Sequence, residues 1–316
     1  MKVGVIGAGA VGSACLLSMI VRKCAREIVV LNRDRKRAKA VATDLQYGAP
    51  LSPQPVDIRD GDYSDLAGAA LVMITAGVNE KAGGATDRSD PAGRLKLLDA
   101  NARIYKSILP QLWSAAPDAV VLVLTDPPDP LADLVRRSGF THVLSSGTFL
   151  DSLRFRVHLA RRLNVDPMHV EALVLGEHGT TEVFLWSSAR AGAAPVLNLL
   201  APTDRTREQL RRSIENEVRY ANITIIEGNQ ASQFGIGMVS ARIAEVVLLD
   251  ERAVVPIGSY NPKYGVTLSM PSVLGRKGVE RIIEPEMSEQ ERQTLERSAD
   301  ALRKALSRID DGRLAA

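Results

Sequence analysis

Short apolar runs that end in glycine, threonine or proline alternate with stretches of helical periodicity through the first half of the chain. Lys2 to Ile6 is a β-branched run, and an apolar helical pattern (Val11, Cys15, Leu16, Met19, Ile20) opens just after it. Glu27 to Leu31, Ala70 to Thr75, Ala119 to Leu124 and His142 to Leu144 read as further strands. Helices are expected over about Leu95 to Ala115 and near Pro130 to Ser138. Such alternation predicts right-handed crossovers and a mostly parallel sheet that binds ligands at the carboxyl ends of its strands. Two of those ends, Thr75-Ala76-Gly77 and Thr125-Asp126-Pro127, turn sharply through Gly or Pro.

After Ser146-Gly147 the pattern changes to a helix carrying Asp151 and Arg154, then strand-like segments around Val170 to Leu175 and Val183 to Trp186. Helices follow from about Asp204 to Glu227 and Gln233 to Leu249, then hairpin-like strands through Val254 to Leu268. Ser-Glu-Gln-Glu from Ser288 makes a capping box for a closing helix that ends near Ile309. The expected architecture is α/β: a Rossmann doubly wound parallel sheet over residues 1–146, then an α+β substrate and catalytic domain over 147–316.

At 316 residues, 45% hydrophobic and 24% charged, the chain suits two intimate soluble domains. The net charge is only +3, and the basic groups (Arg33 to Lys39, Arg161-Arg162, Arg211-Arg212) read as solvated helix faces, so nucleic acid is not indicated. No apolar run reaches membrane-spanning length, because Arg22 and Lys23 end the one after Gly12. The two cysteines, Cys15 and Cys24, fall in one apparent helix, too far apart along its axis to bridge. With no charged-then-apolar leader, a reducing, cytoplasmic setting is expected. No metal site is assigned.

The glycine motif Gly7-Ala8-Gly9-Ala10-Val11-Gly12 sits between a strand and a helix, the context in which it binds a dinucleotide. Gly7 allows the turn, Gly9 lets a pyrophosphate approach the backbone, and Gly12 lets helix and strand pack closely. Asn32-Arg33 ends the second strand, where an acid ordinarily accepts the adenosine ribose hydroxyls. A neutral Asn followed by Arg removes the repulsion that excludes a 2′-phosphate. Two readings stand: NADP(H) is accepted, or Asn32 holds the ribose of NAD while Arg33 is solvated. Val78 to Gly93, rich in glycine and charge, reads as a lid over the site or as a surface loop.

With these residues in view, the sequence resembles the L-lactate and malate dehydrogenase superfamily over nearly its whole length. The matching segments are GAGAVGS at the start, ITAG at Ile74 to Gly77, GRLKLLDANARIYKSI around Arg94, LDSLRFR around Arg154, LGEHG around His178 and VPIGSY near Val255. The LDSxRFR spelling favours the lactate branch. The resemblance implies that His178 exchanges a proton with the substrate as hydride moves to or from the nicotinamide. It implies too that Asp151 holds the imidazole and raises its pKa, and that Arg154 grips the substrate carboxylate bidentately. Arg94 falls at the lid arginine that polarises the carbonyl, with Asn101 seven residues on; Arg88, in a malate-like Asp-Arg-Ser-Asp spelling, competes for that role. The resemblance also places Ala10, Val11, Thr75, Ala76, Gly77, Asn101 and Thr125 along the cofactor, and Ser232 beside the substrate.

Two departures bear on the substrate. The usual Asn after Thr125 is Asp126, and the lid position that separates lactate from malate enzymes falls on Glu80. An acid there repels the second carboxylate of oxaloacetate. The expectation is an NAD-dependent (or NADP-dependent) L-2-hydroxy-acid dehydrogenase acting on pyruvate/L-lactate. The alternatives are a dehydrogenase for another 2-oxo acid, whether a polar or cationic monocarboxylate or malate, and a silent nucleotide-binding homologue. Arg156 is present, but the histidine that pairs with it in sugar-bisphosphate-activated relatives is Glu171, which argues against anion activation. The family implies a homo-oligomer, tetramer or dimer.

Overall fold

The computed structural model describes residues 1–200 and 203–310. The first half builds β1 (Lys2–Ile6), α1 (Ala10–Arg22), β2 (Glu27–Leu31), α2 (Arg35–Gly48), β3 (Asp57–Asp60) and β4 (Leu71–Ile74). A 3₁₀ turn (Gly93–Leu97) then leads into α3 (Leu98–Ala115), β5 (Val120–Val123), α4 (Pro128–Arg137) and β6 (Val143–Ser145). These six strands lie parallel in the order β3-β2-β1-β4-β5-β6. The order reverses between β1 and β4, the switch point beyond whose carboxyl ends such a sheet binds its ligands.

The second half begins with α5 (Phe149–Leu163), followed by β7 (Val170–Glu171), β8 (Val174–Leu175), β9 (Val183–Phe184), β10 (Arg190–Ala191), β11 (Ala194–Pro195) and α6 (Val196–Leu200). Then come α7 (Asp204–Arg219), α8 (Ala221–Asn229), α9 (Phe234–Leu249), β12 (Ala253–Asn261), β13 (Val266–Gly275), β14 (Gly278–Ile282) and α10 (Glu289–Asp310). The hairpin strands expected over Val254 to Leu268 are three and longer, and they do not form a separate layer. β12 pairs antiparallel with β6 through Gly258 and Ser145, giving one nine-stranded mixed sheet. The Ser288 capping box is present: Ser288 N donates to Glu291 Oε2 (2.7 Å) and Glu291 N to Ser288 Oγ (3.3 Å).

Two apolar layers cover the first-half sheet. One side buries Val3, Val5 and Met73 with Leu16 and Met19 of α1 and Ile243 and Val247 of α9. The other buries Ile6, Val72 and Val121 with Tyr105, Leu109 and Leu112 of α3. Each fully buried Leu or Met is worth roughly 1.5–3 kcal/mol relative to exposure, so these layers fix where the strand ends project.

Two expectations need correction. The helix expected from Asp204 to Glu227 is two helices that break at Tyr220, where φ −104 and ψ 12 leave the helical region, and the break leaves Asn222 only 4% exposed. The first helix ends at Arg22, because Lys23 takes a left-handed conformation (φ 61), so Cys24 lies beyond it. Both cysteines are buried and free. No single helix among the described residues is long and apolar enough to cross a membrane.

Candidate active site

The turn after β1 follows from its glycines. Gly7 sits at φ +118, which a side chain rarely adopts, and a Cβ on Gly12 would lie 2.0 Å from the Gly7 carbonyl oxygen. A Cβ on Gly9 would meet nothing within 4 Å, so that face of the turn is open, and no side chain caps the α1 N-terminus beside it. An open backbone face at an uncapped helix N-terminus fits a pyrophosphate. Ala10 is exposed and Val11 half-buried in the first turn of α1. Thr75 Oγ1 donates to the Gly7 carbonyl (2.9 Å), which locks β4 to the turn.

Asn32 Oδ1 accepts from Ala8 N (3.1 Å) and Arg37 Nε donates to the Ala8 carbonyl (2.7 Å). Asn32 therefore braces the glycine turn. Arg33 is exposed, and Arg37, which sequence reasoning passed over, is the basic side chain that folds back on the turn.

Beyond β4, Thr125 Oγ1 donates to the Ala76 carbonyl (2.9 Å). Asn101 accepts from Val78 N (2.6 Å) and donates to the Asp126 carbonyl (2.6 Å). One buried amide thus ties together the ends of β4 and β5, and Thr75, Ala76, Gly77, Asn101 and Thr125 line a single edge.

The polar centre comes from α5 and the turn after β8. Asp151 and Arg154 stand one helical turn apart on the same face of α5. His178 Nδ1 lies 2.5 Å from Asp151 Oδ2, and Arg154 Nη1 donates to Asp151 Oδ1 at 2.9 Å. The turn is pinned from behind, since His178 N donates to Asp129 Oδ2 (2.9 Å) and Glu177 N to Ser298 Oγ (2.9 Å). With Nδ1 engaged by Asp151, Nε2 is the ring nitrogen left to exchange a proton.

Burial by itself raises the Asp151 carboxyl, but His178, Arg154 and Arg94 outweigh it and hold Asp151 well below the usual carboxylate range. The His178 imidazole is lowered, first by burial and then by Arg94 and Arg154, which together outweigh the upward pull of Asp151. Asp151 does pull the histidine upward, as expected, but burial and the two arginines set the net direction. The two shifts are consistent: the carboxylate stays ionised and the imidazole stays neutral among cations.

Arg94 is 8% exposed, with Nε 3.6 Å from Asp126 Oδ2 and 3.9 Å from Glu80 Oε1. Arg88 points elsewhere: it forms a bidentate pair with Glu227 of α8 (2.7 and 2.9 Å) at the surface. Lys81 contacts Gln230, and Thr180 Oγ1 donates to the Pro91 carbonyl (3.1 Å), so the Val78 to Gly93 segment is docked down over the site. Ser232 is half-buried in the link between α8 and α9, outside this hydrogen-bonded cluster.

Three residues of the site were missed in the sequence. Glu182 is 4% exposed, lies 3.8 Å from Arg219 Nε, and is raised well above the ordinary range by burial, with Asp151 adding to the effect. Asn222 Nδ2 donates to Glu80 Oε1 (3.3 Å). Arg219, the third, and Asn222 line one pocket with Arg94, Thr180 and Tyr220. Asn222 had no sequence signal, because it depends on the helix break at Tyr220; Glu182 carried one, an acid four residues from His178 in a run that enters a strand.

The lactate/malate dehydrogenase NAD binding domain matches residues 1–143, and the lactate/malate dehydrogenase alpha/beta C-terminal domain matches residues 148–311. Among similar proteins are an L-lactate dehydrogenase of Chloroherpeton thalassium, 41% identical over 98% of this chain and 100% of its own, and one of Deinococcus radiodurans, 43% identical over 96% and 97%. Among solved structures, a minor L-lactate dehydrogenase from Enterococcus mundtii superposes with a TM-score of 0.88 at 31% identity, covering 98% of both chains. A lactate dehydrogenase from a Medee basin deep-sea metagenome library gives 0.87 at 33%, covering 97% of this chain and 98% of that one.

Proposed function

The chain belongs to the lactate/malate dehydrogenase family, an oxidoreductase acting on a CH–OH group, and on that premise we propose that it is an NAD-dependent dehydrogenase interconverting pyruvate and L-lactate. The observation that carries this reading is the shared carboxylate of Asp151, which holds a proton-exchanging imidazole and a carboxylate-gripping guanidinium side by side.

Bound at the Gly7 to Gly12 turn, the nicotinamide cofactor supplies or accepts the hydride. Arg154 binds the substrate carboxylate with its fork, which orients the 2-carbon. His178 gives a proton from Nε2 to the carbonyl oxygen in reduction and takes it from the hydroxyl in oxidation. A substrate anion beside Arg154 adds negative charge near the imidazole, raising its pKa so that the proton arrives with the substrate. Arg94 polarises the carbonyl, while Arg88 fastens the lid. Asn101, Thr75 to Gly77 and Thr125 shape the nicotinamide edge, and Ser232 completes the wall by the substrate.

The finer assignments rest on the same residues. Neutral Asn32 with basic Arg33 and Arg37 supports use of NADP(H) beside NAD(H). The functional division is placed at 146/147, ahead of the helix that carries Asp151. Two buried free cysteines support a reducing, cytoplasmic location, and a homo-oligomer, dimer or tetramer, follows from the family.

Glu80 and Asp126 favour a second reading, in which a polar or cationic 2-oxo acid is the preferred substrate. Initial rates with NADH and NADPH against pyruvate, oxaloacetate and a panel of 2-oxo acids decide. Highest kcat/KM for pyruvate supports the first reading, highest for a cationic 2-oxo acid the second, and silence across the panel leaves a nucleotide-binding homologue.

A further inference from the structure

The site carries more acid than its chemistry uses. Asp126, at the end of β5, and Glu80, on the lid, each bring a carboxylate oxygen within 4 Å of the same Arg94 nitrogen, at 3.6 and 3.9 Å. The two carboxyls converge on that one nitrogen, and each, if ionised, repels the other, since two carboxylates have no proton to place between them. The Arg94 Nε, buried among them, makes no hydrogen bond within the described residues, so the guanidinium balances charge here without satisfying either oxygen at Nε. Glu80 Oε1 also accepts from Asn222 Nδ2 of α8 (3.3 Å), and its side chain is mostly buried.

Resting on the dehydrogenase reading, we propose that Glu80 and Asp126 form a carboxylic acid–carboxylate pair that holds one proton between them, and that this proton is what admits an anionic substrate. With one proton the pair carries a single negative charge, which Arg94 cancels. With none, two negative charges outweigh one guanidinium at the edge of a pocket that must accept a carboxylate. Glu80 and Asp126 are positioning residues: the shared proton sets the charge that meets the substrate, and the transferred proton remains that of His178.

Burial and the neighbouring acids favour retention of the proton, and Arg94 opposes it. Facing the pair are Arg94 from the 3₁₀ turn, Asp151 from α5 and the Tyr105 hydroxyl from α3, while Glu182, between β8 and β9, acts on Arg94. Burial and then Glu80 push Asp126 up to about 8, with Arg94 pulling the other way. The pair therefore keeps its proton through neutrality and loses it as pH rises through the Asp126 value.

Oxidation of L-lactate separates this proton from that of His178, because the histidine must be neutral in that direction and gives only a rising limb. For the NAD-saturated enzyme, kcat/KM is expected to rise with pH, then fall about tenfold per unit above the loss of the pair's proton. Asp126→Asn and Glu80→Gln are each expected to rise to a plateau. A wild-type profile with no falling limb, or the same limb in both variants, overturns the proposal. Infrared spectra read the pair without turnover: a protonated-carboxyl band lost from wild type between about pH 7 and 9 is expected to be diminished in both variants. Identical band loss in all three proteins overturns the pair even if lactate is turned over. If neither lactate nor any other 2-hydroxy acid is oxidised, the dehydrogenase reading fails and the infrared result still decides the pair.

Discussion

His178 and Arg154 are bound to opposite oxygens of one buried carboxylate, Asp151, at 2.5 and 2.9 Å. The proton-exchanging group and the substrate anchor are thereby fixed relative to each other by a single side chain that is 1% exposed. Replacing His178 removes the acid–base group and leaves the cofactor turn untouched. His178→Ala is expected to lower kcat by roughly 10²–10⁴-fold, with NADH affinity, read by fluorescence, within about threefold of wild type.

Arg154→Lys keeps the charge and loses the fork. A charge-assisted hydrogen bond is worth about 1.5–3 kcal/mol, so kcat/KM for pyruvate is expected to fall roughly 10–100-fold, mostly through KM. Steady-state kinetics over a wide pyruvate range check this.

Arg94 and Arg88 separate the two candidates for the lid arginine. Arg94 is buried against Asp126 and Glu80, so Arg94→Ala is expected to reduce kcat by about 10²–10³-fold. Arg88 and Glu227 are exposed partners whose attraction water and salt screen, and Arg88→Ala is expected to change kcat less than about fivefold. Parallel kinetics of the two variants settle the roles; an inert Arg94→Ala protein assigns the part to Arg88.

Burial, together with Arg94 and Arg154, places the His178 pKa below its ordinary 6.5. Reduction needs the imidazolium, so kcat/KM for pyruvate is expected to decline with rising pH from a midpoint below that value, and lactate oxidation to rise across the same range. Asp151→Asn removes the upward pull and is expected to move the midpoint lower still. Linkage runs the same way: the unfolded chain binds the extra proton, so this residue's contribution to stability is lost as pH falls through 6.5. Thermal melts between pH 5 and pH 8 give the second check.

The NADP(H) proposal rests on the neutrality of Asn32, whose Oδ1 accepts from Ala8 N. Asn32→Asp restores a negative charge beside the adenosine ribose. The NADPH:NADH ratio of kcat/KM is expected to fall by about tenfold or more, in line with one added like-charge repulsion of roughly 1.4 kcal/mol.

Much of this was legible in the sequence because strand ends and glycine turns are local. Gly7, Thr75 and Thr125 fall where apolar runs stop, and the parallel order of β1 to β6 follows from the alternation of strands and helices. Asp151 and Arg154 were legible as an i, i+3 pair. The choice between Arg94 and Arg88 was not, because both lie in one glycine-rich loop and only packing against α8 sends Arg88 outward. Asn222 was hidden because its place depends on the helix break at Tyr220, and the spacing of Glu182 from His178 was legible while its pairing with Arg219 was not. The net direction of the His178 shift was not legible, because spacing shows the carboxylate partner but neither the burial nor the two arginines.

The most direct test of the central claim is the rate of NADH oxidation by the purified protein with pyruvate, with the chirality of the product determined and His178→Ala run beside it. The account predicts steady turnover to L-lactate that collapses in the variant. Turnover that survives loss of His178, or a D-lactate product, contradicts it.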